Sequence, residues 1–408
     1  MVNRKVVQTT DSRRRDNAAH SACANQPRAK RLRVLIVAPS LDILGGQAIQ
    51  ATRLLARLAE EPSLEVGFVP INPRLPGPLG NLQKIKYVRT FVTSLCYWAM
   101  LLKRVRQYDI IHIFSASYWS FVLAPTPAIL VAKLYGKRVV LNYRSGEAED
   151  HLERWRRTAL PTMRLVDRLV VPSGFLVDVF ARFDLRAESI FNFVDTGRFR
   201  FRRRAPLKPV FLSNRNLEPL YNVGCILRAF AIIQRRFTTA RLIIAGDGSQ
   251  RSALEGLAQS LRLRNVEFIG RIAPGRMPEL YDAADIFLNS PNIDNMPGSI
   301  IEAFASGLPV VTTDAGGIPY IVTDGETGLI VGCDDHEAMA SRALSLLEDE
   351  ATAQRLIVQA RAACREYEWQ AVRDKWLKLY NGLALDLRAS QPRLAIGSAQ
   401  ADATKLDS

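Results

Sequence analysis

The sequence is poor in the residues that build metal centres and disulfide frameworks. Its 408 residues include four histidines and five cysteines, and the cysteines are scattered without a C-x-x-C pair. This usage excludes a disulfide-rich secreted scaffold and indicates reduced thiols in a cytosolic protein. Neither of the metal-binding motifs H-E-x-x-H and D-x-D occurs. The acidic run from Glu147 to Asp150 is a weak candidate for a metal site, and we expect it to lie at the start of a helix instead. We therefore expect neither a metal ion nor a cofactor.

Two further patterns are missing. No glycine-rich loop reaches G-x-G-x-x-G. The loop at Gly45-Gly46 does not follow this pattern, and the loop at 246–248 lacks the third glycine, which disfavours a nicotinamide dehydrogenase. The segment 1–30 has no apolar core of the kind found in a signal peptide. Its polar and basic composition predicts disorder.

The sequence instead has an excess of positive charge, which indicates an anionic partner. The formal net charge is +15 at pH 7. The most pronounced basic segment, 84–106, has basic ends around an apolar centre, and polar residues interrupt it too often for a membrane span. Either an interfacial helix on an anionic bilayer or a helix packed on its own domain fits this pattern. Nucleic acid is not expected, because no recognition motif accompanies the charge.

Apolar runs alternate with helical patterns along the chain, which predicts an α/β fold with two doubly wound parallel sheets. A chain of 408 residues exceeds one ordinary core. The expected strands of the first half are 32–38, 66–71, 109–114, 138–142, 168–171 and 190–194. Those of the second half are 209–213, 241–245, 266–269, 285–289, 309–313 and 328–331. The basic stretch 199–209 between the halves is expected to be an interdomain linker.

The segment 284–331 carries the strongest functional pattern. A buried strand at 286–288 is followed by a loop, in the place where ligands bind in open α/β sheets. Gly298 begins a helix whose free N–H groups point back at that loop. Glu302, expected in the first turn, can accept hydrogen bonds from a ribose diol, and Asp294 from a neighbouring sugar ring. Each residue alone also has a structural interpretation: Glu302 as an acid stabilised by the helix dipole, and Asp294 as an ordinary loop residue.

A second loop, 314–319, repeats this design. Its Gly316-Gly317 pair lacks Cβ atoms, which would let the backbone approach a phosphate closely. With the two carboxylates of Asp294 and Glu302, the pair predicts a nucleotide-sugar site.

The run EAFASGLPVV from Glu302 to Val311 resembles the C-terminal motif of the retaining glycosyltransferases of family 4. In that family two Glu residues are separated by seven residues. Asp294 stands in place of the first Glu, and its side chain is shorter by one methylene. The resemblance extends over about residues 31–380. It implies the GT-B fold, with two Rossmann-like domains facing each other across a cleft.

The same resemblance implies a division of labour between the domains. It assigns the acceptor to residues 31–200 and the donor nucleotide to residues 206–365. A helix at 366–385 is expected to cross back to the first domain, and the ends 1–30 and 386–408 are expected to be flexible.

Further roles follow from the resemblance. Gly45 and Gly46, at a helix start, are expected to bring backbone N–H groups onto the donor diphosphate, and Arg215 to clamp it through its fork of donors. Tyr221 and Asn222 stand where the family usually has Lys and Gly, so one positive charge is missing.

Arg144 occupies the place, after the strand at 138–142, where the family often has a His. An arginine cannot act as a general base, so we expect it to support the leaving phosphate or an anionic acceptor. His151 is a weaker candidate and is expected at the surface. The predicted catalytic residues are Arg144, Arg215 and Asp294, and the predicted substrate-binding residues are Gly45, Gly46, Asn295, Met296, Pro297, Gly298 and Glu302.

These expectations define a metal-independent retaining glycosyltransferase of polysaccharide or glycoconjugate biosynthesis. It would move a sugar from a nucleotide-diphosphate-sugar donor to a glycan or lipid-linked acceptor. A cytoplasmic location is expected, with peripheral contact to the anionic inner face of the membrane through the basic segment 84–106. Two alternatives stay open: a silent scaffold that binds nucleotide sugars, favoured by the missing Lys and His, and a nucleotide-sugar epimerase of the same fold.

Overall fold

A computed structural model of the chain describes residues 31–40, 46–74, 86–115 and 117–389. The segment 1–30 and most of the tail, for which flexibility was predicted, lie outside the described residues. The described part of the chain forms two parallel sheets of six strands each, with helices on both faces.

The first sheet contains the strands of the N-terminal half. They are β1 (Leu32–Ala38), β2 (Leu64–Pro70), β3 (Ile110–Ser115), β4 (Arg138–Tyr143), β5 (Arg168–Val171) and β6 (Ala187–Ser189), in the order β2-β1-β3-β4-β5-β6. In β1, Val34 and Ile36 pack in one apolar cluster, and Leu35 and Val37 in the cluster on the opposite face. Because both faces are covered, the strand needs a continuous apolar run rather than an alternating one.

The second sheet repeats this architecture. Its strands are β7 (Val210–Asn214), β8 (Arg241–Ala245), β9 (Val266–Gly270), β10 (Ile286–Asn289), β11 (Val310–Thr313) and β12 (Leu329–Val331), in the order β12-β11-β10-β7-β8-β9. Within β10, Ile286 and Leu288 face one cluster and Phe287 the other. The predicted fold class is confirmed. We call β1–β6 with their helices the first lobe, and β7–β12 with theirs the second lobe.

One predicted strand, 190–194, is wrong. The last strand of the first sheet lies just before it, at Ala187–Ser189, and the chain then leaves the sheet. Asn192 Nδ2 donates to Met296 O over 3.1 Å, and Val194 N donates to Tyr367 O over 2.9 Å. The segment is apolar because it is buried between the lobes, and not because it belongs to a sheet.

Helices cover both sheets. Those of the N-terminal half are α1 (Gly46–Ala59), α2 (Lys86–Arg104), α3 (Tyr118–Leu123), α4 (Pro125–Leu134), α5 (Ala148–Arg154), α6 (Arg156–Arg164) and α7 (Gly174–Ala181). Those of the C-terminal half are α8 (Val223–Arg236), α9 (Arg251–Ser260), α10 (Met277–Asp282), α11 (Gly298–Ser306), α12 (His336–Glu348), α13 (Glu350–Ala363) and α14 (Trp369–Ala389).

The last helix, α14, packs on the first lobe although it follows the second lobe in the chain. Val372, Trp376 and Tyr380 lie in one buried cluster with Val34 of β1 and Ile110 of β3. The end of the chain is therefore tied to the first sheet. The domain boundaries given above stay predictions.

The stretch 199–209 is not a loose linker. Arg204 is fully buried in the second lobe, where its Nε donates to Ala284 O over 2.8 Å and its Nη2 to Tyr281 O over 2.9 Å. Its guanidinium also lies 3.4 Å from a carboxylate oxygen of Asp285. These bonds fasten the start of the second lobe to the helices that flank β10.

Helix α2, which lies within the basic segment 84–106, has two different faces. Tyr97 and Leu101 are buried in the core of the first lobe. On the other face Phe91 is 73% exposed and Leu95 is 62% exposed, and Trp98 and Leu102 follow at helical spacing. Among the helices of the described ranges, none is both long and apolar enough to cross a membrane.

Candidate active site in the cleft between the lobes

A cavity of about 430 Å³ lies between the two sheets. Its walls come from the start of α1, from the loops that follow β4, β5, β7 and β10, and from α11. The cavity therefore lies at the carboxyl ends of the parallel strands in both lobes, where open α/β sheets bind ligands. Glu302, Asp294, Arg215 and Arg144, which are far apart in the sequence, all line it.

Glu302 lies in the second turn of α11, and the prediction of a first-turn position is wrong. The helix begins at Gly298, and its first turn contains no acidic residue. A favourable interaction with the helix dipole therefore does not explain this carboxylate. One carboxylate oxygen of Glu302 lies 3.2 Å from Nη2 of Arg53, and the other accepts a hydrogen bond from the Tyr281 hydroxyl over 3.1 Å.

Burial dominates the electrostatics of Glu302. Withdrawal from water raises the pKa of its carboxyl group, and Arg53 and Tyr281 act in the opposite direction. The Tyr281 hydroxyl is itself buried, receives a hydrogen bond from Asn214 over 3.2 Å and lies 3.1 Å from the backbone oxygen of Ser299. The orientation of the Glu302 carboxylate is thus set by three elements: α1, β7 and α10.

Arg53 lines the cavity and is not among the residues predicted from the sequence. It lies on α1 in the first lobe, and its partner Glu302 lies 249 positions further along the chain in the second lobe. A sequence signal exists, because Gln50, Arg53 and Arg57 recur at the spacing of one helical face after the Gly-Gly loop. Only the fold shows that this face meets the second lobe.

Arg215 and Asp294 form an ion pair within the cavity wall. Nη2 of Arg215 contacts a carboxylate oxygen of Asp294, and Nη1 lies 3.3 Å from the Ser299 hydroxyl. The ring of Tyr221 lies under the guanidinium, with 4.1 Å from Cζ to the ring centroid. Tyr221 therefore supports Arg215 with its aromatic face. From the sequence, Tyr221 was interpreted only as the loss of a lysine.

The Gly316-Gly317 loop packs on the Asp294 loop rather than lining the cavity. A Cβ atom on Gly317 would lie 1.8 Å from the backbone oxygen of Asn295. The Gly317 amide donates to the backbone oxygen of Asp294 over 3.1 Å. The expectation that this pair approaches a phosphate is therefore wrong. The glycines allow two loops to touch, and this contact holds Asp294 in place.

The turn at Gly246 has a similar supporting role for Arg215. Gly246 has a φ of 142°, and a Cβ atom there would lie 2.0 Å from the backbone oxygen of Arg215. A side chain at this position would displace the loop that carries the guanidinium.

Arg144 lies just beyond β4 with its side chain in the cavity wall. Its Nη1 donates to Asn142 Oδ1 over 3.2 Å, and its guanidinium stacks over the ring of Phe114 at 5.2 Å. Burial lowers its pKa to about 9. Within the described ranges no carboxylate pairs with Arg144. Its charge is therefore poorly compensated, and an anion in the cavity would stabilise it.

The remaining predicted binding residues follow β10. Asn295 and Gly298 line the cavity, and Asn295 bonds to Ser173 of the first lobe. Met296 also lines it but is mostly buried, with its sulfur 3.2 Å from the backbone N of Asn192. Pro297 is buried at the N-cap of α11 and does not line the cavity.

Of the two glycines predicted to bind the diphosphate, the structure describes Gly46. Gly46 is the first residue of α1 and lines the cavity. Apart from the chain neighbours and the backbone of the same helix, no described atom lies within 4 Å of a Cβ atom built on Gly46 or on Gly298, so both helix starts leave open space. Gly45 lies outside the described residues.

Two weaker candidates have structural roles. Glu149 and Asp150 lie in the first turn of α5, as expected for a helix start. His151 is fully buried, which corrects its predicted surface position, and its Nδ1 lies 2.9 Å from the Tyr143 hydroxyl. In the part of the chain that the structure describes, no three His, Cys, Asp or Glu side chains are grouped so as to hold a metal ion.

Comparison with known families agrees with this architecture. The family described as Glycosyl transferases group 1 matches residues 197–363, and Glycosyltransferase Family 4 matches residues 44–198. The two matches are contiguous and include both walls of the cleft. The protein is thus a glycosyltransferase with the two-lobed GT-B fold. The chain belongs to the group 1 glycosyl transferases, and the resemblance to family 4 is confirmed.

Individual relatives are distant. A phosphatidyl-myo-inositol mannosyltransferase of Mycobacterium leprae is 24% identical over 361 residues, which is 82% of this chain and 89% of the relative. An α-1,4-N-acetyl-D-galactosaminyltransferase of Campylobacter jejuni, named for an acceptor on PP-undecaprenol, is 26% identical over 267 residues, covering 64% of this chain and 73% of the relative. The structure of HepE from Anabaena in complex with UDP and glucose has a TM-score of 0.67 at 17% identity, covering 86% of this chain and all of that chain.

Proposed function

We propose that the protein transfers a sugar, with retention of its anomeric configuration, from a nucleoside-diphosphate sugar to a hydroxyl of a glycan or lipid-linked acceptor. The bond between the anomeric carbon and the diphosphate oxygen breaks, and the same carbon bonds to the acceptor oxygen. The acceptor proton passes to the leaving diphosphate. The proposal rests on the convergence of Glu302, Asp294, Arg215 and Arg144 in one cavity between the lobes.

Glu302 is the proposed ribose ligand. Its carboxylate is buried, Tyr281 fixes one oxygen, and the other is paired with Arg53. A ribose diol can donate two hydrogen bonds to such a carboxylate and share it with Arg53. Hydrogen bonds to charged groups contribute about 1.5–3 kcal/mol each, which is enough for strong nucleotide recognition.

The diphosphate is proposed to lie among Arg53, Arg144 and Arg215. All three residues line the cavity, and Arg53 is proposed to supply the positive charge that is missing at Tyr221. The open helix starts at Gly46 and Gly298 add backbone N–H groups. Fixed cations of this kind stabilise the charge that develops on a leaving diphosphate, so we propose that transfer is metal-independent.

Asp294 and the backbone of Asn295 are proposed to hold the transferred sugar. Asp294 is oriented by Arg215 and by the amide of Asn295, which donates to its second oxygen over 2.7 Å. Because Asp294 is anchored in this way, it can accept hydrogen bonds from sugar hydroxyls. No arginine of the cavity can accept the acceptor proton, which agrees with its transfer to the leaving diphosphate.

The exposed face of α2 supports the proposal that the acceptor is lipid-linked and that the protein contacts a membrane surface. Its exposed apolar face, Phe91 to Leu102, carries exposed basic residues at both ends, among them Arg89 and Lys103. A helix of this kind can lie in the interface of an anionic bilayer. The mycobacterial relative is named for a phospholipid acceptor, and this supports the same class of acceptor here.

The experiment is a transfer assay with a panel of nucleoside-diphosphate sugars and with polyprenyl-phosphate-linked and free glycan acceptors, in the presence of a chelator. We expect glycoside formation with a retained anomeric configuration, measured by NMR of the product. Glu302→Ala and Arg215→Ala should abolish transfer, whereas Glu326→Ala, at an exposed acid outside the cavity, should not. Full activity of both cavity variants would contradict the proposal.

A further inference from the structure

A buried chain of hydrogen bonds connects the last helix of the protein to Arg144. The Tyr380 hydroxyl on α14 lies 2.7 Å from Nδ1 of His112 on β3. Nδ2 of Asn142 on β4 lies 3.1 Å from Nε2 of the same imidazole. Nη1 of Arg144 donates to Asn142 Oδ1 over 3.2 Å. Of these four side chains, Arg144 is the one that lines the cavity.

Packing holds this chain rigidly. Tyr380, His112 and Asn142 are each at most 1% exposed. The His112 ring stacks on Phe114 with an interplanar angle of 13° and contacts Trp376 with 4.7 Å between ring centroids. The same Phe114 ring carries the guanidinium of Arg144 on a face. The imidazole and the guanidinium therefore share one aromatic support.

The chain has a direction. Burial, with a smaller contribution from the charge of Arg144, lowers the pKa of His112 to about 3, so its ring is neutral and has one donor and one acceptor nitrogen. Arg144 can only donate, so its contact places the amide oxygen of Asn142 towards the guanidinium and the NH₂ group towards Nε2 of His112. Nε2 is then the acceptor, and the ring proton lies on Nδ1, where it faces the Tyr380 oxygen.

The opposite tautomer of His112 would break the last link. With the proton on Nε2, the Asn142 side chain must turn over so that its oxygen accepts. Its NH₂ group would then face the NH₂ of Arg144, donor against donor. The tautomer of His112 therefore determines whether the Arg144 guanidinium can donate a hydrogen bond to Asn142 Oδ1.

We propose that Tyr380, His112 and Asn142 are positioning residues, which aim the Arg144 guanidinium at the leaving diphosphate through one fixed tautomer of His112. This inference rests on the proposed function and extends it, since it makes the returning helix α14 part of the catalytic apparatus. Tyr380 and His112 are 268 positions apart in the chain.

The test compares Tyr380→Phe with Tyr97→Phe. Tyr97 is an equally buried tyrosine of the first lobe, and its hydroxyl donates to the backbone oxygen of Ala124 over 2.8 Å, away from the cavity. Loss of one hydrogen bond that orients a charged group should lower kcat roughly tenfold in Tyr380→Phe, with little change in the donor KM. Tyr97→Phe should retain the wild-type kcat. In an Arg144→Gln background Tyr380→Phe should have no further effect on kcat.

A second readout does not depend on activity. Long-range ¹H–¹⁵N NMR should show His112 protonated at Nδ1 in the wild type and in Tyr97→Phe, and displaced from that tautomer in Tyr380→Phe. The inference is overturned if Tyr380→Phe keeps the wild-type kcat, if its loss adds in full to that of Arg144→Gln, or if Nε2 carries the proton in the wild type. If the wild type transfers no sugar from any donor, the proposed function fails, and the NMR result alone decides the inference.

Discussion

Arg53 of the first lobe and Glu302 of the second lobe form an ion pair across the cavity, with 3.2 Å between Nη2 and Oε1. Both side chains are largely buried, with 20% and 12% exposed. The acid proposed to bind ribose is therefore already paired with an arginine of the facing lobe. We expect a donor that engages Glu302 to draw Arg53 towards its diphosphate, so that donor binding and the contact between the lobes are coupled.

Arg53→Gln should weaken donor binding and make it more sensitive to acid. Burial raises the pKa of Glu302, and Arg53 is the largest influence that lowers it. Without Arg53 that pKa rises further, so the ionised carboxylate is lost at a higher pH as the pH falls. We expect a donor affinity about tenfold lower near neutral pH, from loss of one charged contact, and a larger deficit in mildly acidic solution.

Binding titrations at several pH values measure this effect. Arg57→Gln is the matched control, because Arg57 lies one turn further along α1 and does not line the cavity. Parallel pH profiles for the wild type and Arg53→Gln would show that Arg53 does not act on the nucleotide through Glu302.

Tyr221 should matter through its ring and not through its hydroxyl group. The guanidinium of Arg215 lies 4.1 Å from the ring centroid, and a cation–π contact contributes about 0.5–2 kcal/mol. Tyr221→Leu should therefore lower kcat/KM for the donor by between about 2-fold and 30-fold. Tyr221→Phe should behave as the wild type in the same assay. Equal losses in the two variants would assign the effect to the hydroxyl group instead.

Gly317→Ala should damage both stability and donor binding. The new Cβ atom would lie 1.8 Å from the Asn295 oxygen, so the loop that carries Asp294 must move. Overpacking of this kind costs about 1–3 kcal/mol of the free energy of unfolding, which urea denaturation measures.

Gly256→Ala provides the matched control for that variant. Gly256 lies within α9, and outside that helix no atom of the described residues comes within 4 Å of a Cβ built on it. Replacing a glycine inside a helix by alanine should raise the free energy of unfolding by about 0.5–1 kcal/mol and leave donor binding unchanged. If Gly317→Ala is equally harmless, the two loops are not in the contact described.

The exposed face of α2 should determine binding to anionic lipid. The double variant Phe91→Asp with Leu95→Asp replaces two exposed apolar side chains by negative charge, and should abolish sedimentation with vesicles that contain phosphatidylglycerol. Val358→Asp on α13 in the second lobe is the control, since Val358 is also apolar and is 63% exposed. Wild-type binding should weaken as salt rises, because charge contributes to it. Unchanged sedimentation of the double variant would exclude α2 as the membrane contact.

The fold was predictable because parallel strands buried on both faces leave a strong local signal. Val34 to Val37 and Ile286 to Leu288 fill opposite clusters in alternation, and such runs stand out in the sequence. The apolar segment 190–194 gave the same signal for another reason, because burial between two lobes and burial within a sheet require the same residue types.

The part of the site contained in one strand, loop and helix was also predictable. Asp294 and Glu302 line the cavity as expected, because their relative position depends on local structure after β10. Partners supplied by the other lobe were not predictable. The pairing of Arg53 with Glu302 and the path from Tyr380 to Arg144 depend on how distant segments meet, and no local pattern records that.

Calorimetric titration of nucleoside diphosphates and their sugars into the wild type and into Glu302→Ala measures whether Glu302 binds the donor nucleotide. We expect at least one of these ligands to bind the wild type at one site per chain in the presence of a chelator. In the variant we expect an affinity at least about tenfold lower, since a charged hydrogen-bond partner of the ribose is lost. Equal affinity in the two proteins, or no binding of any nucleoside diphosphate to the wild type, would overturn the proposed nucleotide site.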